Sequence, residues 1–218
     1  MISSLAIPSD LDTRHPSDIV RWAVDEFGLE RLVVTASFGD AVLAHVVSQA
    51  APGIEIVLLD TQFLFAETQW FANELKNRFN LNLRIVSPST VTLSDNLWRT
   101  DSNACCQARK VEPLNRALEG KAAWLSGLRR ADSDTRATAP VASYDIVRGV
   151  MKVNPLVAMS DADVELYHSL YELPDHPLVD KGYASIGCWP CTRPVDNDED
   201  KRAGRWSGSS KTECGLHL

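Results

Sequence analysis

Leu32-Val33-Val34-Thr35-Ala36-Ser37-Phe38-Gly39-Asp40 sets the architecture of this chain, together with Ala41 to Gln49 and, after Pro52-Gly53, Ile54 to Leu59. Leu32 to Thr35 reads as a buried strand, Ser37 to Asp40 as a turn, Ala41 to Gln49 as a helix and Ile54 to Leu59 as a second buried strand. Strand, tight loop, helix and strand make the repeating unit of a parallel sheet, because parallel neighbours need a crossover. Before this unit, Pro16 opens a helix whose apolar positions Ile19, Trp22, Ala23 and Phe27 recur at helical spacing and which Gly28 stops. After it, Glu67 to Phe79 reads as a helix and Leu83 to Val86 as a third strand. The pattern weakens after Pro88 until a helical stretch from Asn103 to Leu118, which Pro113 is expected to divide. Ala122 to Gly127 predicts a fourth strand, Leu128 to Thr138 a basic loop leaving it, and Ser160 the cap of a helix from Asp161 to about Tyr171. From Pro174 regular structure is sparse, and the tail from about residue 200 reads as a mobile end. The expectation is one α/β domain over residues 1–218, with right-handed crossovers and no internal repeat.

Composition narrows the function classes. A chain of 218 residues buries about 70% of the surface its unfolded form exposes, enough for a single core. Its apolar runs are too short to cross a bilayer, and Asp10, Asp12 and Asp18 interrupt any early secretory stretch. The expected compartment is the reducing cytoplasm, with no membrane partner. A net charge of -7 argues against nucleic acid as a partner, so an anionic substrate has to be held by local basic groups.

In a reducing compartment the five cysteines read as ligands or nucleophiles rather than disulfides. Cys105 and Cys106 are adjacent, and Cys188-Trp189-Pro190-Cys191 forms a second pair much later. Four thiolates suffice for one tetrahedral metal or one 4Fe-4S cluster. A thioredoxin-like redox motif is the rival for the second pair, but it would sit early in its domain at a helix N-terminus. An adjacent pair is uncommon in structural zinc sites, which puts iron-sulfur ahead of zinc while leaving both open.

An anionic ligand wants Arg forks, backbone amides and helix N-termini. Ser37, Gly39 and Asp40 lie between a strand and a helix, where they read either as an anion loop or as a plain turn with Asp40 capping the helix. Arg129, Arg130 and Arg136 leave the end of the fourth strand, the face where open α/β sheets bind ligands. Lys110 stands about one helical turn after Cys106, and Arg202 and Arg205 precede the tail. Each of these, taken singly, reads equally well as a solvated surface charge. The fifth cysteine, Cys214, lies in a tail beside Lys211 and His217, a poor place to bury a thiol and a suitable one for a nucleophile of lowered pKa.

These residues resemble the reductases of adenylyl sulfate and phosphoadenylyl sulfate. The resemblance covers nearly the whole chain. It is carried by Cys105 to Leu114, Trp124-Leu125-Ser126-Gly127-Leu128-Arg129-Arg130, Lys152-Val153-Asn154-Pro155-Leu156, Gly182 to Cys191 and Glu213-Cys214-Gly215-Leu216-His217. It implies a Rossmann-like adenine-nucleotide α-hydrolase (PP-loop) fold, with a mainly parallel sheet, helices on both faces and an irregular C-terminal cluster-binding region. It implies a 4Fe-4S cluster on Cys105, Cys106, Cys188 and Cys191, which typically marks the adenylyl-sulfate class, and a phosphate loop at Ser37 to Asp40. Leu59-Asp60-Thr61 matches the motif that lines the adenosine site. Two departures stand out: the phosphate loop is shorter than usual before its Asp, and Gln62-Phe63 replace the usual Gly-Tyr or Gly-Arg.

The implied reaction is thioredoxin-dependent reduction of adenosine 5'-phosphosulfate to sulfite and AMP. Cys214 becomes an S-sulfocysteine, and thioredoxin or a similar dithiol discharges it. Lys110, Arg130, Arg136, Arg202 and Arg205 are the expected cations, with His217 assisting and the cluster structural and electrostatic. The rivals are a reductase of the 3'-phosphorylated nucleotide or of both, a tRNA-thiolating ATP pyrophosphatase, whose Ser-Gly-Gly loop Phe38 and Ala41 break, and a zinc-bound interaction module. Oligomeric state is left open, a homo-oligomer included.

Overall fold

The computed structural model describes residues 6–89, 96–196 and 198–216. Among them, β1 (Leu32–Thr35), β2 (Glu55–Leu59), β3 (Asn82–Val86), β4 (Ala123–Ser126), β5 (Ala142–Asp145) and β6 (Val150–Val153) form one six-stranded sheet in the order β3-β2-β1-β4-β6-β5. All neighbours pair in parallel except β5, which closes one edge antiparallel to β6. The register sets Val33 beside Trp124 and Thr35 beside Ser126. This is the expected mainly parallel α/β sheet.

Successive strand residues point to opposite faces, so the apolar runs feed two layers at once. Leu32, Val34, Ile56, Leu58 and Leu125 face α1 (Pro16–Phe27), α2 (Val42–Ala50), α3 (Ala66–Phe79) and α7 (Asp161–Leu170). Val33, Val57, Leu59 and Trp124 face Leu114, Ala117 and Leu118 of α6 (Glu112–Leu118) on the other side. Each such side chain, fully buried, contributes about 1.5–3 kcal/mol. Local signals place the helices: Pro16 is the first residue of α1, and Ser160 and Asp163 form a reciprocal cap on α7.

Two elements differ from expectation. The break before Pro113 is a π turn, Gln107–Val111, set between α5 (Ser102–Cys106) and α6, with the Glu112 N–H bonding back five residues to the Gln107 carbonyl. Proline has no N–H to give the usual carbonyl four residues back, and the helix widens one turn earlier. The hairpin β5–β6 has no counterpart in the sequence reading. Its strands are four residues each and its apolar pattern is interrupted by Asp145, Arg148 and a buried Lys152.

From Pro174 the chain is irregular yet tied down. The Trp189 N–H donates to the Phe63 carbonyl at 2.8 Å, Trp206 to Cys191 at 3.0 Å and Arg193 to Gly204 at 3.0 Å. His176 is buried; its Nδ1 accepts from the Leu178 N–H at 3.1 Å, which leaves Nε2–H to donate to Thr68 Oγ1 at 3.0 Å. Leu216 packs on the apolar layer of α6, so the tail lies against the body in this structure. Among the described residues no helix is long and apolar enough to cross a membrane.

Candidate active site

A cavity of about 300 Å³ opens at the C-terminal ends of β1, β2 and β4, where the strand order reverses. Open α/β sheets bind ligands at this switch point. Phe38 (φ 53) and Gln62 (φ 63) hold left-handed conformations in the loops that leave β1 and β2 for it. Asp40 both lines the cavity and accepts the Val42 N–H, the first of α2, at 2.8 Å, so the start of that helix lies at the cavity wall.

Of the residues singled out in the sequence, Ser37, Gly39, Asp40, Thr61, Lys110, Arg136, Arg202, Arg205 and Cys214 line this cavity. Asp60 is turned aside, accepting from the Gln62 N–H at 2.9 Å and from Ser87 Oγ at 3.4 Å. Arg130 also points away: it forks onto Asp12 at 2.9 and 2.7 Å and donates to the Ala139 carbonyl. Its neighbour Arg129 takes the cavity wall, braced by Asp132 at 2.9 Å and Asp161 at 3.0 Å. Arg129 is the last extended residue before a 3-10 turn that begins at Arg130, and only Arg129 reaches the site. His217 lies outside the described residues. Asp132 and Glu213 line the cavity too and were not chosen from the sequence; the place of Glu213 beside the candidate nucleophile was the available signal.

The tail brings Cys214 to the wall. Gly215 (φ 83) turns the chain in a conformation that favours glycine, which lets Leu216 reach its apolar layer and its N–H reach the thiol. Burial pushes the Cys214 thiol up, but Lys110, that N–H and Arg205 outweigh it, and the thiol is held below its ordinary value. Burial likewise opposes the Lys110 charge, and Cys188, Cys214 and Cys106 restore it, raising its pKa. Arg205 lies over Gly187, where its guanidinium fills the space a Cβ would need. It donates to Ser185 Oγ at 3.3 Å and stacks 4.7 Å over Trp206, while its buried Nε has no hydrogen-bond partner.

Cys105, Cys106, Cys188 and Cys191 share the lining of a second, small cavity, and Lys110, Cys188 and Trp206 form the wall common to both. None of the five cysteines is in a disulfide. Cys188 Sγ lies 3.2 Å from Thr61 Oγ1. Burial, then repulsion from Cys188 and Cys106, pushes Cys191 up to about 11, and burial with Cys106 also raises Cys105. Four crowded thiols are the donor chemistry of a soft, thiolate-bound centre. Among the described residues, no group of three or more His, Cys, Asp or Glu is placed to hold a single metal ion.

The crevice at the switch point of a mainly parallel sheet, lined by basic side chains, is the architecture of a Rossmann-like α/β enzyme. The sequence profile of the phosphoadenosine phosphosulfate reductase domain matches residues 31–194, and the chain belongs to that family. It is 44% identical to an adenosine 5'-phosphosulfate reductase of Streptomyces coelicolor over 95% of this chain and 90% of the relative. It is 41% identical to the protein of that name from Geobacillus kaustophilus, over 98% and 94%. Among solved structures, the phosphoadenylyl-sulfate reductase of Candida auris in its phosphate complex superposes with a TM-score of 0.73 at 27% identity, covering 88% of this chain and all of that one. The FMN adenylyltransferase of Candida glabrata shares the fold, with a TM-score of 0.64 at 13% identity over 96% of this chain and 81% of its own.

Proposed function

We propose that this chain reduces adenosine 5'-phosphosulfate to sulfite and AMP, with Cys214 as nucleophile and a dithiol such as thioredoxin as electron donor. The observation that carries it is the meeting of Cys214, Lys110 and Arg205 on the wall of the switch-point cavity, in a chain so similar to named adenosine 5'-phosphosulfate reductases. The thiolate attacks the sulfate sulfur, a sulfur–sulfur bond forms, and the sulfur–oxygen bond to phosphate breaks with its electron pair leaving on AMP. The leaving group is already a stabilised anion. The protein therefore needs chiefly an ionised thiol in line and cations around the sulfate. Lys110 and Arg205 meet both needs, since each also lowers the Cys214 pKa. The α2 amides, Ser37 and Gly39 suit the phosphate, and Thr61 suits the nucleoside side.

A dithiol then attacks Cys214 Sγ, sulfite departs with the electron pair, and the second thiol resolves the mixed disulfide. The two electrons come from that donor. Cys105, Cys106, Cys188 and Cys191 would hold a 4Fe-4S cluster, which when bound would supply a rigid structural and electrostatic support beside the site. Free cysteines suit a reducing cytoplasm, the compartment we assign.

The test is sulfite release with thioredoxin from adenosine 5'-phosphosulfate and from its 3'-phosphorylated form, on anaerobically purified protein. The unphosphorylated nucleotide is expected to be the better substrate, the preparation brown, and its Mössbauer spectrum that of a 4Fe-4S centre. Turnover of the 3'-phosphorylated nucleotide alone would overturn the substrate. Stoichiometric zinc with negligible iron and sulfide in active protein would overturn the cluster.

A further inference from the structure

The basic side chains of the active-site cavity divide by their partners. Arg129 is paired with Asp132 and Asp161, and Lys201 with Asp161 at 2.8 Å. Arg136 joins the tail to the body: its Nε and Nη2 donate to the two carboxylate oxygens of Glu213 at 2.7 and 2.8 Å, while its Nη1 donates to Asp132 at 3.1 Å. Arg202 stands 3.7 Å from the same carboxylate and donates to the Thr212 carbonyl at 3.0 Å. Among the described residues, Lys110 and Arg205 form no ion pair with a carboxylate. Two cations are thus committed to the tail, and two are left for the reacting anion.

Glu213 is the residue immediately before the nucleophile. Its side chain is 10% exposed and that of Arg136 is 12%, so the pair is shielded from solvent; Arg136 keeps a second carboxylate in Asp132, and the Glu213 charge is answered by Arg136 and Arg202. Thr135 Oγ1 adds a donor at 3.4 Å. Farther back, Lys211 Nζ donates to the Ser102 carbonyl at 2.8 Å and to Asn103 Oδ1 at 2.9 Å. Leu216 is the tail's apolar contact with the core. The tail is therefore docked chiefly by polar contacts that separate without exposing a large apolar surface.

We propose that Glu213 is a positioning residue: clamped by Arg136 and Arg202, its carboxylate docks the tail and sets Cys214 against Lys110 and Arg205. Arg136 and Arg202 are then receptors for the tail more than for the sulfate. Closing the clamp places the thiol for attack, and opening it presents the S-sulfocysteine to the dithiol. This rests on Cys214 being the nucleophile.

The test uses the anaerobic holoenzyme without substrate and reads trypsin cleavage after Lys211, which reports tail opening independently of thiol ionisation. Glu213→Gln is expected to speed that cleavage at least about tenfold, because the isosteric amide removes the tail's charge from the clamp and leaves Arg136 paired with Asp132 alone. The same variant should form the Cys214 adduct roughly tenfold more slowly, while its affinity for AMP stays within about twofold. Arg136→Gln should open the tail as much, and the double variant no further, because both remove one interaction. Unchanged cleavage in Glu213→Gln, additive effects in the double variant, or loss of AMP affinity in Arg136→Gln with the tail still closed would each overturn the clamp. Absence of any adduct on wild-type Cys214 would overturn the nucleophile instead and leave the cleavage result readable.

Discussion

Phe71 and Trp206 are both buried aromatic side chains, and they are ordered in different ways. Phe71 sits in α3, fully buried, among the apolar residues its helical spacing gathers. Trp206 lies in irregular chain at φ 47, with Arg205 and Lys211 over its ring and its indole N–H buried and unpartnered. The first belongs to a sheet-and-helix body that ends near Leu170 and is held by apolar burial. The second belongs to a wrap from Pro174 to Leu216 held by backbone pins, His176, arginines and thiols. Burial is cumulative and tolerant of losing one contact, whereas each polar pin is specific. The body should therefore govern stability and the wrap chemistry.

The largest expected effect lies in the wrap. Cys214→Ser should lower sulfite release on the order of ten-thousandfold, since a serine hydroxyl is barely ionised and cannot form the S-sulfo adduct, while the unfolding midpoint stays at the wild-type value. A serine variant of substantial activity would break the division. In the body, Phe71→Ala should cost about 3–5 kcal/mol in denaturant titrations, with turnover per folded molecule unchanged. Lys110→Ala should slow adduct formation about a hundredfold and move its pH inflection upward, because losing the cation lets the Cys214 pKa rise. Rapid-quench mass measurements across pH would read both changes, and full activity with an intact thiol-bound centre would make Lys110 an ordinary surface charge.

The smallest effect tests the contact between the two regions, where His176 meets Thr68 of α3. Burial lowers the His176 pKa to about 4 from the usual 6.5. Between those values the unfolded chain binds a proton that the folded chain refuses, so stability falls as pH drops from 6.5 toward 4, by on the order of 2 kcal/mol. Hydrogen exchange over residues 174–196 should rise first on acidification. Uniform exchange across body and wrap would show that His176 does not separate them.

Much of this was present in the sequence because it is local. β1 to β4, α1 to α3 and α7 follow from periods of two and of 3.6, from Pro16 and from Ser160, all within a few residues of one another. The two cysteine pairs and the tail thiol were legible from spacing alone. The π turn that carries Arg109 and Lys110, the β5–β6 edge, and the choice of Arg129 over Arg130 for the cavity were not. Each depends on which way a side chain points once the chain is packed, and adjacent residues of the same type carry no signal of that. The pairing of Glu213 with Arg136 bridges distant parts of the chain. Charge complementarity permits many such pairs in a sequence with this many acids and arginines, and only the docked tail, turned at Gly215 and seated on Leu216, selects one of them.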